Sequence, residues 1–95
     1  MLLLNTKQKQ ILKGKAHTLK PIVFTGINGL TDNVIKEVDR GLEDHELIKI
    51  RIQENDRELR NELFQTLCET VSAQKIQLIG SIGVMYRKKK DEQKK

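Results

Sequence analysis

PIVFTGINGLTDNVI, residues 21–35, sets two glycines three apart between two different hydrophobic patterns. Ile22, Val23, Phe24 and Thr25 are a short run of residues that favour a pleat. Beyond Gly29, Thr31 stands where a helix N-cap belongs, and Val34, Ile35, Val38 and Leu42 share one helical face. A strand over residues 22–25 and a helix from residue 31 to about residue 43 are therefore predicted. The residues between them are Gly26, Ile27, Asn28 and Gly29. That junction has two readings. Glycine serves an ordinary turn because it accepts φ > 0. It also lets a phosphate approach the backbone at a helix start, where free N–H groups and the helix dipole attract anions.

Downstream, LIKIRI (residues 47–52) alternates Ile48, Ile50 and Ile52 with Lys49 and Arg51. This is a strand with an apolar face and a basic face. The polar loop QENDR offers Asn55 or Asp56 to open a third helix. Its apolar stripe is Leu59, Leu63, Phe64, Leu67, Cys68 and Val71, and it ends near residues 72–74. Strands over residues 76–79 and 83–88 follow as a hairpin, because Gly80-Ser81 suits a tight primed turn.

Upstream, a first helix is predicted over residues 6–17, capped by Asn5 or Thr6, with Ile11 and Leu12 as a narrow stripe that Leu4 and Ala16 extend. Pro21 forces the residue before it out of the helical region. The order is α-β-α-β-α-β-β. Strand–helix–strand units pair in parallel and the last hairpin adds an antiparallel strand. The fold class is α+β, a two-layer α/β arrangement with a mixed four-stranded sheet.

A chain of 95 residues is one domain by length, read as residues 1–90 with a mobile charged tail at 91–95. MLLLN is too short for a signal-peptide core or a membrane span, so the expected location is the cytoplasm, without membrane association. The lone Cys68 permits no internal disulfide and reads as a buried, inert thiol. His17 and His45 have no partners at ligand spacing, so neither a metal nor another cofactor is expected.

The net charge of +5 is unevenly distributed. Residues 1–25 carry Lys7, Lys9, Lys13, Lys15 and Lys20 and no acid. Residues 26–86 hold seven basic and eleven acidic residues, and residues 87–95 hold six basic and two acidic. If folding brings both ends near Gly26, a polyanion-binding face results. Other glycine signatures fail: Gly29 is followed by Leu30 and Thr31, not by the Lys-Ser/Thr of a Walker loop. No third glycine comes before Gly41, as a dinucleotide fingerprint would need. Phe24, Phe64 and Tyr86 are the only aromatic residues, and both phenylalanines sit in apolar patterns. Base stacking is thus a minor mode at best, with Tyr86 the one candidate, and core packing or a strand-face position is the favoured reading of Tyr86. The acids lie in loop and helix-surface stretches with no nucleophile paired to a base, so no enzyme is expected.

LKGKAHTLKP (residues 12–21), GINGLT (26–31), HELIKI (45–50) and IGSIGVMYR (79–87) occur in that order. Together they resemble the chloroplast RNA splicing and ribosome maturation (CRM) domain family, in its stand-alone bacterial YhbY-type form, over residues 3–90. The resemblance implies a fold similar to the C-terminal domain of translation initiation factor three. It also implies association with precursors of the large ribosomal subunit; a monomer that binds their ribosomal RNA and assists assembly is expected. The family's GxxG loop falls on Gly26, Ile27, Asn28 and Gly29. Many members carry a lysine at one of its middle positions; here Ile27 and Asn28 shift phosphate contact to backbone N–H groups and lysines elsewhere. Lys7, Lys9, Lys13, Lys15 and Lys20 would supply a basic surface, extended by Lys49, Arg51 and Arg87, Lys88, Lys89 and Lys90. A rival reading is a module whose acidic second and third helices bind a ribosomal protein.

Overall fold

In the computed structural model, which describes residues 5–26 and 28–88, the elements are α1 (Thr6–Ala16), β1 (Pro21–Thr25), α2 (Asp32–His45), β2 (Leu47–Ile52), α3 (Arg57–Thr70), β3 (Gln74–Ile79) and β4 (Ile82–Tyr86). The order is the predicted one. The proposed tail, residues 91–95, and Leu4 lie outside the described residues.

Caps decide where each helix begins. Asn5 closes a capping box on α1: its side chain accepts the Gln8 N–H at 2.8 Å, and the Gln8 side chain accepts the Asn5 N–H at 2.9 Å. Thr31 caps α2 and Asp56 caps α3. At the hairpin, Gly80 has φ +58 and Ser81 does not follow it into the left-handed region, as a two-residue type II′ turn requires.

The sheet order is β1-β2-β4-β3. β1 and β2 pair in parallel, while β4 is antiparallel to both β2 and β3. β2 and β3 therefore run parallel without touching, because β4 lies between them. IGVMY is the more apolar strand of the hairpin, and in the interior both of its edges are paired. Pro21, which cannot donate to a ladder, begins an edge strand.

The pleat divides the core in two. Ile48, Ile50, Ile52, Val23 and Met85 meet Val38 and Leu42 of α2 and Phe64, Leu67 and Cys68 of α3. On the opposite face Leu47, Val84 and Ile76 pack with Ala16, Leu12 and Leu19 of the α1 segment. The helices thus sit on both faces: α2 and α3 on one, α1 on the other. Full burial of each large apolar side chain contributes roughly 1.5–3 kcal/mol.

Some predicted core positions are not core. Ile11 is 52% exposed, because Leu12 and Ala16 define the contact stripe and Ile11 lies about 100° around the helix from Leu12. Leu59 and Phe24 are also exposed. Helix α3 ends at Thr70, before the predicted residues 72–74, and β4 starts at Ile82 and ends at Tyr86. No helix among the described residues is long and apolar enough to cross a membrane.

Gly83 lies under the Phe64 ring: a Cβ there would stand 2.6 Å from the ring edge, and that ring is fully buried. Gly83→Ala should therefore lower stability by about 1–3 kcal/mol in urea unfolding. Gly41→Ala is the contrast. Its Cβ comes too close only to the tip of the half-exposed Ile22, at 2.8 Å, which can rotate away, and lies at ordinary contact distance from Ile48; alanine favours a helix by about 1 kcal/mol over glycine. That variant should be neutral or stabilising. Burial, with a smaller upward push from Glu69 and an opposing pull from Lys75, raises the Cys68 thiol to about 12. A thiol reagent at pH 8 should label Cys68 only on unfolding, and the stability gained from the neutral thiol should fade as pH rises from 9.0 towards 12.

Candidate nucleic-acid interface

The glycine loop is anchored by a buried hydroxyl. Thr25, 2% exposed, accepts the Gln53 N–H at 3.2 Å and ties the end of β1 to the exit of β2. The Gly26 carbonyl then accepts the Gly29 N–H at 3.1 Å, closing a turn. Gly29 has φ +72, a conformation that favours glycine. Its carbonyl accepts the Thr31 N–H, and the Thr31 hydroxyl accepts the Val34 N–H at 3.2 Å. The amides of Asp32 and Asn33 remain at the open start of α2, on the positive end of its dipole.

Gly26 differs from Gly29. Its φ is outside the left-handed region, and a Cβ there would meet nothing within 4 Å. Nothing in the fold requires glycine at 26, whereas an approaching ligand would benefit from its absent side chain. Asn28 is exposed, and Ile27 lies outside the described residues. Asp32, exposed in the first turn, supports the helix dipole and repels an anion at the same place.

The cations gather along the face that α1 partly covers. Between the end of α1 and the starts of β1 and β2 is a groove of about 510 Å³. Its walls include Leu12, Leu19 and Leu47, with Lys15, Lys20 and Lys49 beside them and Glu46 as the acid. Lys49 is partly buried and donates to the Leu19 carbonyl at 3.1 Å. Arg51 follows on the same face, roughly 6–7 Å along the strand, exposed and in register with Phe24. Two residues beyond Phe24 is Gly26. The structure therefore joins Lys15, Lys20, Lys49 and Arg51 into one line that runs beside β2 towards the loop. Lys7, Lys9 and Lys13 stand on α1, Lys7 exposed and the other two partly covered. Lys88 is exposed beyond the end of β4. Lys89 and Lys90 lie outside the described residues.

Arg87 departs from the expected basic surface. Its guanidinium donates to Asp39 Oδ1 at 2.7 Å, the Val71 carbonyl at 2.8 Å, the Asp39 carbonyl at 3.1 Å and Glu43 Oε2 at 3.1 Å. It is a clasp from the end of β4 to α2 and to the end of α3, with both terminal nitrogens engaged. The sequence shows a basic run at 87–90; only the tertiary fold shows acids waiting on α2.

Phe24 was missed as a surface aromatic. Val23 and Thr25 point into the core while Phe24, between them, is 59% exposed. The period-two alternation of a strand was the available signal. Tyr86 packs against the α1 cluster, the core or strand-face position expected of it rather than a stacking one; burial, and then Glu46, raise its phenol pKa. Among the described residues no group of three or more His, Cys, Asp or Glu side chains gathers where a metal ion would be held.

The family profile described as CRS1 / YhbY (CRM) domain matches residues 4–87. The chain belongs to the CRS1/YhbY (CRM) domain family. A Haemophilus influenzae relative, named an RNA-binding protein, is 45% identical over 87 residues, covering 92% of this chain and 88% of its own. The Bacillus subtilis protein YqeI, named a probable RNA-binding protein, is 38% identical and is covered to 93% by 94% of this chain. The solution structure of SAV1595 from Staphylococcus aureus superposes with a TM-score of 0.82 at 39% identity, over 94% of this chain and 93% of that one.

In this CRM domain Arg87→Ala should cost about 1–3 kcal/mol of stability, because it leaves the Val71 carbonyl and two carboxylates without their donor. Urea unfolding reads that loss. The same variant should leave the affinity for a polyanion such as heparin unchanged at a temperature where it is folded.

Proposed function

We propose that this CRM domain is a non-catalytic RNA-binding protein of the cytoplasm that holds an RNA backbone along β2 and at the Gly26–Gly29 loop. One observation carries the reading: Lys15, Lys20, Lys49 and Arg51, from three segments of the chain, fall on one sheet face and lead to a loop whose Gly26 the fold does not require. The names of the relatives support RNA as the polyanion. The exposed acids of α2 and α3 lie on the opposite side of the sheet. A charge split of that kind turns the basic face towards an approaching nucleic acid. Ribosomal RNA of a large-subunit precursor is the RNA we assign, from the family resemblance, with assistance in ribosome assembly as the role. Crosslinking in cells with mapping of the bound RNA addresses that assignment.

A salt titration tests the backbone reading. With a structured RNA, log K against log salt should fall with a slope of about −3 to −5, as expected for four to six phosphate contacts. Lys49→Ala and Arg51→Ala should each flatten the slope by about 1. Gly26→Asp adds a carboxylate at a backbone that tolerates a side chain, so it should weaken binding at least tenfold without loss of stability. A flat salt dependence in the wild type would refute the reading, and wild-type affinity in Gly26→Asp would remove the loop from it.

A further inference from the structure

Four side chains, one from each strand, lie in a single row across the sheet. Phe24 of β1 is in register with Arg51 of β2, Arg51 with Ile82 of β4, and Ile82 with Ile79 of β3. Register partners share a face, and this is the face that α1 covers only at its other end, over Leu47, Val84 and Ile76. Among the described residues nothing covers the row. Phe24 is 59% and Ile79 65% exposed, Arg51 is exposed and Ile82 partly so. Three strand spacings give it a span of roughly 14 Å. It contains no acid. One carboxylate, Glu54, borders the hollow that Phe24 and Arg51 line; it accepts the Asp56 N–H at 3.0 Å, and Arg60 beside it donates to the Glu54 carbonyl.

A phenyl ring, a planar guanidinium and two aliphatic side chains in line form a flat, cationic, apolar surface. Such a surface complements the faces of nucleobases, which stack on aromatic rings and on arginine planes. The row also ends beside the loop, since Gly26 is two residues beyond Phe24, roughly 7 Å along the strand. A backbone held at the loop would carry its bases over the row. Other four-stranded sheets that bind RNA stack two or three bases in this way. We infer that the row Phe24–Arg51–Ile82–Ile79 is a stacking platform for two or three unpaired nucleotides. The inference rests on the proposal that the loop and the basic line hold an RNA backbone. It adds that the preferred RNA is single-stranded at this point, because paired bases present no free face. The cationic line that runs into the row favours a polyanion over a protein surface as its occupant.

The test compares an oligoadenylate of about eight nucleotides with an RNA duplex of similar length. Phe24→Ala should weaken oligoadenylate binding about tenfold, change duplex binding less than about twofold, and keep the wild-type salt slope. The side chain is largely exposed, so the fold should survive, as an unfolding curve would verify. The chain has no tryptophan, so Phe24→Trp introduces a single fluorophore. It should retain affinity, and its emission should be quenched by oligoadenylate. Unquenched emission with bound RNA, or equal affinity of Phe24→Ala and wild type alongside a steep salt slope, overturns the platform and leaves backbone binding standing. A wild type that binds no RNA overturns both. Intact RNA affinity in Phe24→Ala, together with loss of a ribonuclease-resistant protein partner, would identify the row as a protein-docking face and also overturn the platform.

Discussion

The side-chain alternation of β2 is the constraint on which the rest depends. A strand turns successive residues to opposite faces, so LIKIRI cannot place its isoleucines in the core without presenting Leu47, Lys49 and Arg51 on the other side. The first set packs with α2 and α3. The second set is graded along the strand: Leu47 is buried by α1, Lys49 is partly covered and bonded to Leu19, and Arg51 is free. Core and candidate site are therefore two consequences of one register. A one-residue slip would bury Arg51 and expose three isoleucines, so the packing that stabilises the fold also holds the cations in line.

Helix α1 adds the second control. It is weakly apolar and reaches the sheet through Leu12 and Ala16, followed by Leu19. A helix so narrow in its contact covers only part of the face. That partial cover produces both features of interest there, the groove between α1 and the strand starts and the bare row at the opposite end. Its lysines follow from the same geometry, since a helix with a narrow buried stripe leaves most positions to solvent.

Much of this was legible in the chain. The alternation of residues 47–52, the caps at Asn5, Thr31 and Asp56, and the Gly80-Ser81 turn are local signals, and each element they announce is present. Local signals were poorer at ranking side chains. Ile11, Phe24 and Leu59 look apolar and therefore buried, but burial depends on which neighbour covers a residue. Phe24 is the instructive case: its own strand contained the in–out pattern, yet nothing nearby says that α1 stops short of it. Arg87 is the reverse, a cation in a basic run whose partners Asp39 and Glu43 are more than forty residues away.

The sequence by itself determined the order of the elements, the two-faced central strand, the placement of the glycines at a strand-to-helix junction and the separation of charge along the chain. These are properties of neighbouring residues, set by dihedral preferences, side-chain period and composition. Only the tertiary structure decided that β4 lies between β2 and β3, that α1 packs opposite α2 and α3, and that Arg87 is a clasp. It alone aligned Phe24, Arg51, Ile82 and Ile79 in one row. Those are contacts between residues distant in the chain, and they depend on which apolar surfaces meet once all the elements compete for cover.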